Sequence, residues 1–352
     1  MHPVPLVRAS VLLPLFEYLE QRGLRENDEL ALARSRLGDP LALIPLTVIG
    51  GLWETATRTT GLDDLGLRVG AASRPEDIGA LGALVRREAT LGAALDTAVR
   101  HGSLFNSGQR LWATREGDDV WIHHRFSPVL REGRRQASEF ALMLWIELIR
   151  LGAGAGWRPT QLQLEGMQPR YAKELAALAA ESVRFEQSET ALAFPRSLLS
   201  LPLPALQPDP TSLPAPAAEP LPDLDFTGSA RQAVAALLLI GSPHIEAAAR
   251  AAGTSVRSLQ RHLATAHLSF FALLEEARCD AAQRMLRDPS RKVIQISAEL
   301  GYTDSANFTR AFRRWTGLSP RAFRRSVVGR DLTHQIGDLR PGVHAGLVER
   351  RA

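Results

Sequence analysis

The stretch from Ile296 to Arg324, ISAELGYTDSANFTRAFRRWTGLSPRAFR, spaces its large apolar residues as a helix does, interrupts them once, and resumes. Ile296, Leu300, Phe308 and Phe312 recur at helical spacing and predict one buried stripe. Gly301 stands where the first helix must stop and the backbone can take positive φ. Asp304, four residues ahead of Phe308, has the chemistry of an N-cap for the second helix. Helix, tight turn and arginine-rich helix make a helix-turn-helix, whose second helix is built to enter a DNA major groove.

A second unit of the same design lies upstream. Ile245 to Ala252 reads as a first helix, Gly253 as its stop, and Ser255 as the cap of a helix that buries Leu259 and Leu263. Ser255 to Leu259 and Asp304 to Phe308 have the same offset, and Leu259-Gln260-Arg261 answers Phe308-Thr309-Arg310. Between the units, Phe270 to Leu286 reads as an amphipathic helix with Phe271, Leu274, Ala277, Ala281, Ala282 and Met285 as apolar contacts. At 1.5 Å per residue it spans roughly 25 Å. With the flanking helices this gives about 34 Å between the recognition helices, one turn of B-DNA, as expected for contact with successive major grooves.

These residues resemble the DNA-binding domain of the AraC/XylS family of bacterial transcription regulators over about Arg231 to Ser326. The run that carries the resemblance is Ala298, Gly301, Tyr302, Phe308, Arg310, Phe312, Gly317, Ser319, Pro320 and Arg324. Carried over by position, the resemblance implies that Arg257, Gln260 and Arg261 face DNA from the first recognition helix. From the second it implies Ser305, Ala306, Asn307 and Arg310. One departure stands out: His267 occupies the position after the first recognition helix where family members usually have glycine.

Charge supports the same assignment. Residues 229–326 hold 15 Lys/Arg against 7 Asp/Glu, while the first 228 hold 23 against 28, so a net of +4 hides a basic C-terminal module. Such a module suits the phosphate backbone. An arginine-rich surface alone would be read as a solvated face; its coincidence with the paired motif makes it a nucleic-acid interface.

A length of 352 residues points to two domains. A 45% hydrophobic composition can bury a sizeable core. One cysteine excludes a disulfide scaffold and suits a reducing cytoplasm, and no apolar run approaches the roughly 18 residues that span a bilayer. The first residues lack the charge-then-apolar order of a secretory signal. The expectation is a cytoplasmic protein with no membrane contact.

Eight prolines between Pro202 and Pro222 mark an interdomain linker, since such a segment holds neither helix nor central strand. The expected organisation is an effector-binding and dimerisation domain (1–202), a linker (203–227), a DNA-binding domain (228–326) and a loosely ordered tail (327–352). Within the DNA-binding domain the two helix-turn-helix units fall at about 244–265 and 293–315, and the linker helix at about 270–286. The fold class is α+β for the N-terminal domain and all-α for the C-terminal one.

In the N-terminal domain, periodicity predicts helices at about 11–22, 46–59, 62–72, 77–85, 91–102 (capped by Thr90), 131–151 and 171–180. Strands are predicted at 110–115 and 120–126, a hairpin, and at 161–164, 182–185 and 191–194. This half resembles the sensor domain of the AraC subgroup that includes the ornithine-utilisation regulators. The resemblance rests on Leu67 to Gly70, Thr90 to Leu95, Val183 to Glu186, Ala191 to Pro195, and Leu198 to Pro204. It implies an effector-binding and dimerisation module; the name arabinose-binding attached to that domain does not establish a sugar ligand. The high helical content also separates this half from the small β-barrel sensors of sugar-responsive members.

Arg68, His101, Asn106, Trp112, His123 and Trp145 are candidate ligand contacts, being polar or aromatic residues in apolar surroundings. Arg86 and Arg87 read as a solvated helix face. His123 and His124 fall on opposite faces of a strand, so they cannot chelate one metal, and read as an exposed pair. Gly152 to Gly156 follows a helix and lacks the Lys-Ser/Thr of a phosphate-binding loop. Cys279 lies mid-helix with no histidine near it in sequence, which argues against a reactive thiol. No catalytic residue, metal or cofactor is implied. The chain reads as an effector-responsive regulator, an activator, binding promoter DNA as a homodimer and meeting RNA polymerase. The competing readings are an N-terminal half that only dimerises, and an enzyme domain fused to a DNA reader.

Overall fold

Leu6–Arg8 (β1) and Leu43–Pro45 (β2) pair antiparallel and bury Val7 and Ile44 completely, although three-residue strands leave almost no pattern in the sequence. The computed structural model describes residues 2–37, 39–204, 221–222, 224–241 and 243–326. Most of the proline-rich segment and all of the expected tail lie outside the described residues.

The remaining strands are Gln109–Glu116 (β3), Asp119–Phe126 (β4), Gln161–Gln163 (β5), Ser182–Arg184 (β6) and Thr190–Pro195 (β7). They form one sheet in the order β3-β4-β7-β5-β6, antiparallel except for β5 with β6. Alternation along β4 sends Val120, Ile122, His124 and Phe126 to one face and Trp121, His123 and Arg125 to the other. The first face joins Leu162, Leu192 and Phe194 against Leu142, Ile146 and Ile149 of the long helix Arg134–Ala153. The helix Leu91–Phe105 closes the same core with Leu91, Ala94, Leu95 and Ala98, and Thr90 caps it by accepting from the N–H of Ala93 at 3.3 Å.

The C-terminal residues form helices at Phe226–Leu239, Ile245–Ala251, Val256–Thr265, Phe270–Arg287, Val293–Glu299 and Ser305–Thr316, with a further helical stretch at 320–326. The chain divides into two compact units between Leu273 and Leu274, inside the helix Phe270–Arg287 and not at the proline-rich segment. The first helix-turn-helix therefore packs with the N-terminal region. Val4 is buried and lines a small cavity with Ala230, Val234, Leu259 and Leu263, and its N–H donates to the Ser229 hydroxyl at 2.8 Å. Arg36 donates to the carbonyl of Leu239 at 3.0 Å. A Cβ on Gly253 would come within 2.5 Å of Val129, so the turn of the first unit needs glycine for space as well as for its φ of 63°.

Several expectations change on contact with the structure. Phe271 is 62% exposed, and the helix Phe270–Arg287 buries Leu273 and Leu286 instead, leaving Met285 half-buried. The helix expected over 77–85 is a 3₁₀ turn, Pro75–Ile78, and a short helix, Ala80–Val85, parted by Gly79 at φ 90°. Arg86 is not solvated: it is 6% exposed and pairs with Glu76 at 3.3 Å, whereas Arg87 is exposed. His123 and His124 are both buried rather than exposed, on opposite faces as the strand dictates. Ordered structure also enters both ends of the expected linker, with Leu203 buried in the core and Asp225 capping the helix that opens at Phe226.

Candidate functional site

The second helix-turn-helix is built on aromatic packing. Phe308 and Phe312 are fully buried with Ile296, and the rings of Tyr302, Phe308, Phe312 and Phe323 meet at centroid distances of 5.5–5.8 Å. Gly301 turns the chain at φ 79°. Asp304 caps the helix Ser305–Thr316 by accepting from the N–H of Asn307 at 2.7 Å. Arg278 lies 5.0 Å over the Tyr302 ring and donates to the carbonyl of Leu300 at 3.0 Å. Arg324 donates to the carbonyls of Leu286 and Arg291, at 3.2 and 2.6 Å, and so satisfies the end of the preceding long helix. Tyr302 and Arg324 thus support the unit.

With that face buried, the opposite face of the helix exposes Ala306 and Arg310 and leaves Ser305 and Asn307 half-buried. The Arg310 guanidinium donates to the side-chain carbonyl of Asn307, whose amide donates to Asp304. This relay runs from the cap to the arginine and restricts two rotamer-rich side chains before any ligand arrives. A planar guanidinium beside a carboxamide suits base edges and phosphates alike.

In the first unit Ser255 caps Val256–Thr265 through the N–H of Ser258 at 3.2 Å. Only Leu259 and Leu263 of this helix are buried, and Arg257, Gln260 and Arg261 are all exposed. His267 follows the helix at φ 55°, a left-handed conformation that usually selects glycine. The departure from the family pattern keeps the turn and places a histidine in it.

Between the sheet and the helix Arg134–Ala153 lie two adjoining cavities of about 90 Å³ each. They share Ile78, Leu81, Gln109, Ala141 and Leu144. Asn106 lines the first, Trp145 and His124 the second. The other sequence candidates are elsewhere. Arg68 is exposed and pairs with Asp64 at 2.7 Å. His101 is half-buried on its helix and lines neither cavity. Trp112 and His123 stack at 5.0 Å on the opposite face of the sheet, where Glu189 lies 3.5 Å from the imidazole. Burial depresses the pKa of His123, opposed by Glu189 and Glu116. Sequence reasoning missed His124 and Gln109; alternation along β4 was the signal that placed His124 inward.

One buried carboxyl stands apart from both cavities. Glu139 accepts from the Tyr171 hydroxyl at 2.7 and 2.9 Å, and burial pushes its pKa up to about 7. A cleft of about 680 Å³ separates Glu29, Arg131 and Glu132 from Arg250, Thr254 and Ser255 of the first helix-turn-helix. Burial raises the pKa of the Cys279 thiol, which accepts from Gln283 at 3.3 Å. Among the described residues no group of three His, Cys, Asp or Glu is placed to hold a metal, and no helix is long and apolar enough to cross a membrane.

Two capped helix-turn-helix units with exposed arginines define a DNA-binding transcription regulator. Comparison with known proteins agrees: residues 248–326 match a helix-turn-helix domain family, and residues 28–203 match the N-terminal arabinose-binding domain of AraC transcription regulators. The chain belongs to the AraC family. It is 26% identical to the ornithine utilization regulator of Pseudomonas aeruginosa over 328 residues, 91% of this chain and 96% of that one. It is 38% identical to the regulator VirS of Mycobacterium tuberculosis over 88 residues, 25% of this chain and 26% of that one. The crystal structure of the regulator CdpR from Pseudomonas aeruginosa aligns over 89% of this chain and 96% of that one, at 22% identity and a TM-score of 0.38.

Proposed function

We propose that this chain is a one-component, effector-responsive transcription activator with no reaction of its own, working in the cytoplasm. Residues 1–202 take a small molecule and dimerise, and residues 228–326 read promoter DNA and meet RNA polymerase. The carrying observation is the pair of capped helices, Val256–Thr265 and Ser305–Thr316, each with its apolar stripe buried and arginine on its open face. Arg261 and Arg310 are the anchors to base edges or phosphates, and Arg257, Gln260, Ser305, Ala306 and Asn307 set sequence preference. The cavities beneath the sheet support the effector reading, because a ligand that fits one arrangement better than another shifts the balance between them.

Selection of binding sites from random duplex DNA, followed by footprinting of the full chain, tests the reading. Two short motifs about one helical turn apart are expected for each protomer. Recovery of sites with a single motif would count against a two-helix reader, and recovery of no preferred sequence against sequence-specific regulation altogether.

A further inference from the structure

The five-stranded sheet ends in two unequal edges, β3 with eight residues and β6 with three. A short edge offers little to another chain, whereas a long one is usually blunted by proline, by a bulge or by a covering element. β3 contains no proline, and its register with β4 runs from Gln109 to Glu116 without a bulge. Among the described residues β4 is its one strand neighbour.

The hairpin turn fixes which backbone groups of β3 point outward. Gly117 takes φ 61° and Asp118 a negative φ, a two-residue turn across which Glu116 and Asp119 exchange both their backbone hydrogen bonds. Alternation then directs the N–H and C=O of Arg110, Trp112 and Thr114 toward β4, and those of Leu111, Ala113 and Arg115 toward the open edge. The side chains of Arg110, Trp112, Thr114 and Glu116 share the outer face of the sheet. There the Arg110 guanidinium lies 5.1 Å over the Trp112 ring, and Thr114 Oγ1 lies 2.8 Å from His123 Nε2. Arg110 and Glu116 are both exposed, and neither has an ion-pair partner among the described residues.

We propose that β3 is the dimer interface: two copies of the chain join their β3 strands antiparallel about a two-fold axis at Ala113, and one sheet runs through both protomers. The proposal rests on the dimer reading above and names its interface. Outward groups must meet outward groups, so the axis passes through a residue and not between two. An axis at Trp112 sets Arg110 against the partner's Thr114, and one at Thr114 sets Trp112 against the partner's Glu116. Of the axes through the strand, the one at Ala113 sets Arg110 against the partner's Glu116, and by symmetry does so twice. Ala113 then pairs with its own copy, and Leu111 with Arg115, through backbone hydrogen bonds. Trp112 faces Thr114 and Arg110 faces Glu116 in the closer, non-hydrogen-bonded pairs, where side chains interact most directly. Charges that leave a slipped register unpaired hold this one in place.

Light scattering of the full chain without DNA, over a dilution series, reads the dissociation constant of the dimer. Ala113→Pro removes an N–H from the open edge and leaves the ladder to β4 whole, so it should give monomers with an unchanged circular dichroism spectrum. Arg110→Glu sets like charges against each other at two places and should weaken the dimer about tenfold, as should Glu116→Arg. Combining the two exchanges should restore the original affinity, and that restoration keeps the test decisive if the proline variant misfolds. A dimer indifferent to Ala113→Pro, or to either charge reversal, or not restored by the double exchange, would overturn the interface and leave the dimer reading standing. A chain that is monomeric at every concentration would overturn both.

Discussion

Both helix-turn-helix units place a glycine at the turn, an acceptor at the cap and arginine on the open face, yet they are supported in different ways. The second is filled by its own aromatic rings, Phe308 and Phe312 against Tyr302, Trp315 and Phe323, and is braced by Arg278 and Arg324 from within its own unit. The first offers mostly small side chains, Ala247, Ala248, Ala249 and Ala251 with Leu259 and Leu263. It completes its packing with Val4 and with the helix Phe226–Leu239. The pair teaches that one motif can be self-sufficient or dependent according to the bulk its core positions carry. The dependent copy has a direct packing route to the N-terminal region, through Val4 and the helix Phe226–Leu239.

The sharpest way to break that comparison is Phe312→Ala. Emptying a fully buried aromatic site costs about 3–5 kcal/mol. Hydrogen exchange should show lost protection over 293–326 while residues 245–265 keep theirs; loss in both would mean the second unit does not stand alone. Next in size, Arg310→Ala should weaken operator binding by about 1–3 kcal/mol in a mobility shift at fixed salt, and unchanged binding would remove Arg310 from the interface. Ser229→Ala leaves the buried N–H of Val4 without its acceptor, at about 1–2 kcal/mol, and should loosen the first unit alone in the same exchange experiment. The smallest effect has the opposite sign. His267→Gly removes a left-handed conformation from a residue with a Cβ and should stabilise the fold by about 1 kcal/mol in denaturant melts.

Where a cap stood at the head of a long apolar period, the element was legible in the sequence. Thr90, Ser255 and Asp304 cap the helices they were expected to cap, and the hairpin register brings Trp112 opposite His123. Three-residue strands such as Leu6–Arg8 have no period to read. The helix Asp28–Arg36 escaped because only Leu30 and Ala33 are buried in a run of charges, although Asn27 caps it. Arg86 misled because its burial depends on Glu76, a partner that no local pattern reveals. The inward cavity was hidden for a related reason. Asn106 and Trp145 were within reach as polar or aromatic residues in apolar surroundings, but His124 and Gln109 become a site only when a helix end and a strand pair bring them together.

The hydrogen bond from Val4 to Ser229 spans 225 positions of sequence and constrains how the protein can be made. As the chain leaves the ribosome, the segment around residue 4 must wait for almost two thirds of the polypeptide before its partner emerges. Until then Val4 lacks Ala230, Val234, Leu259 and Leu263, the side chains that line its cavity with it. A fragment cut ahead of Phe226 never receives that partner, so it should be less soluble than the whole chain. A bulky tag ahead of Val4 should likewise disturb the first DNA reader, although that reader lies more than 200 residues downstream.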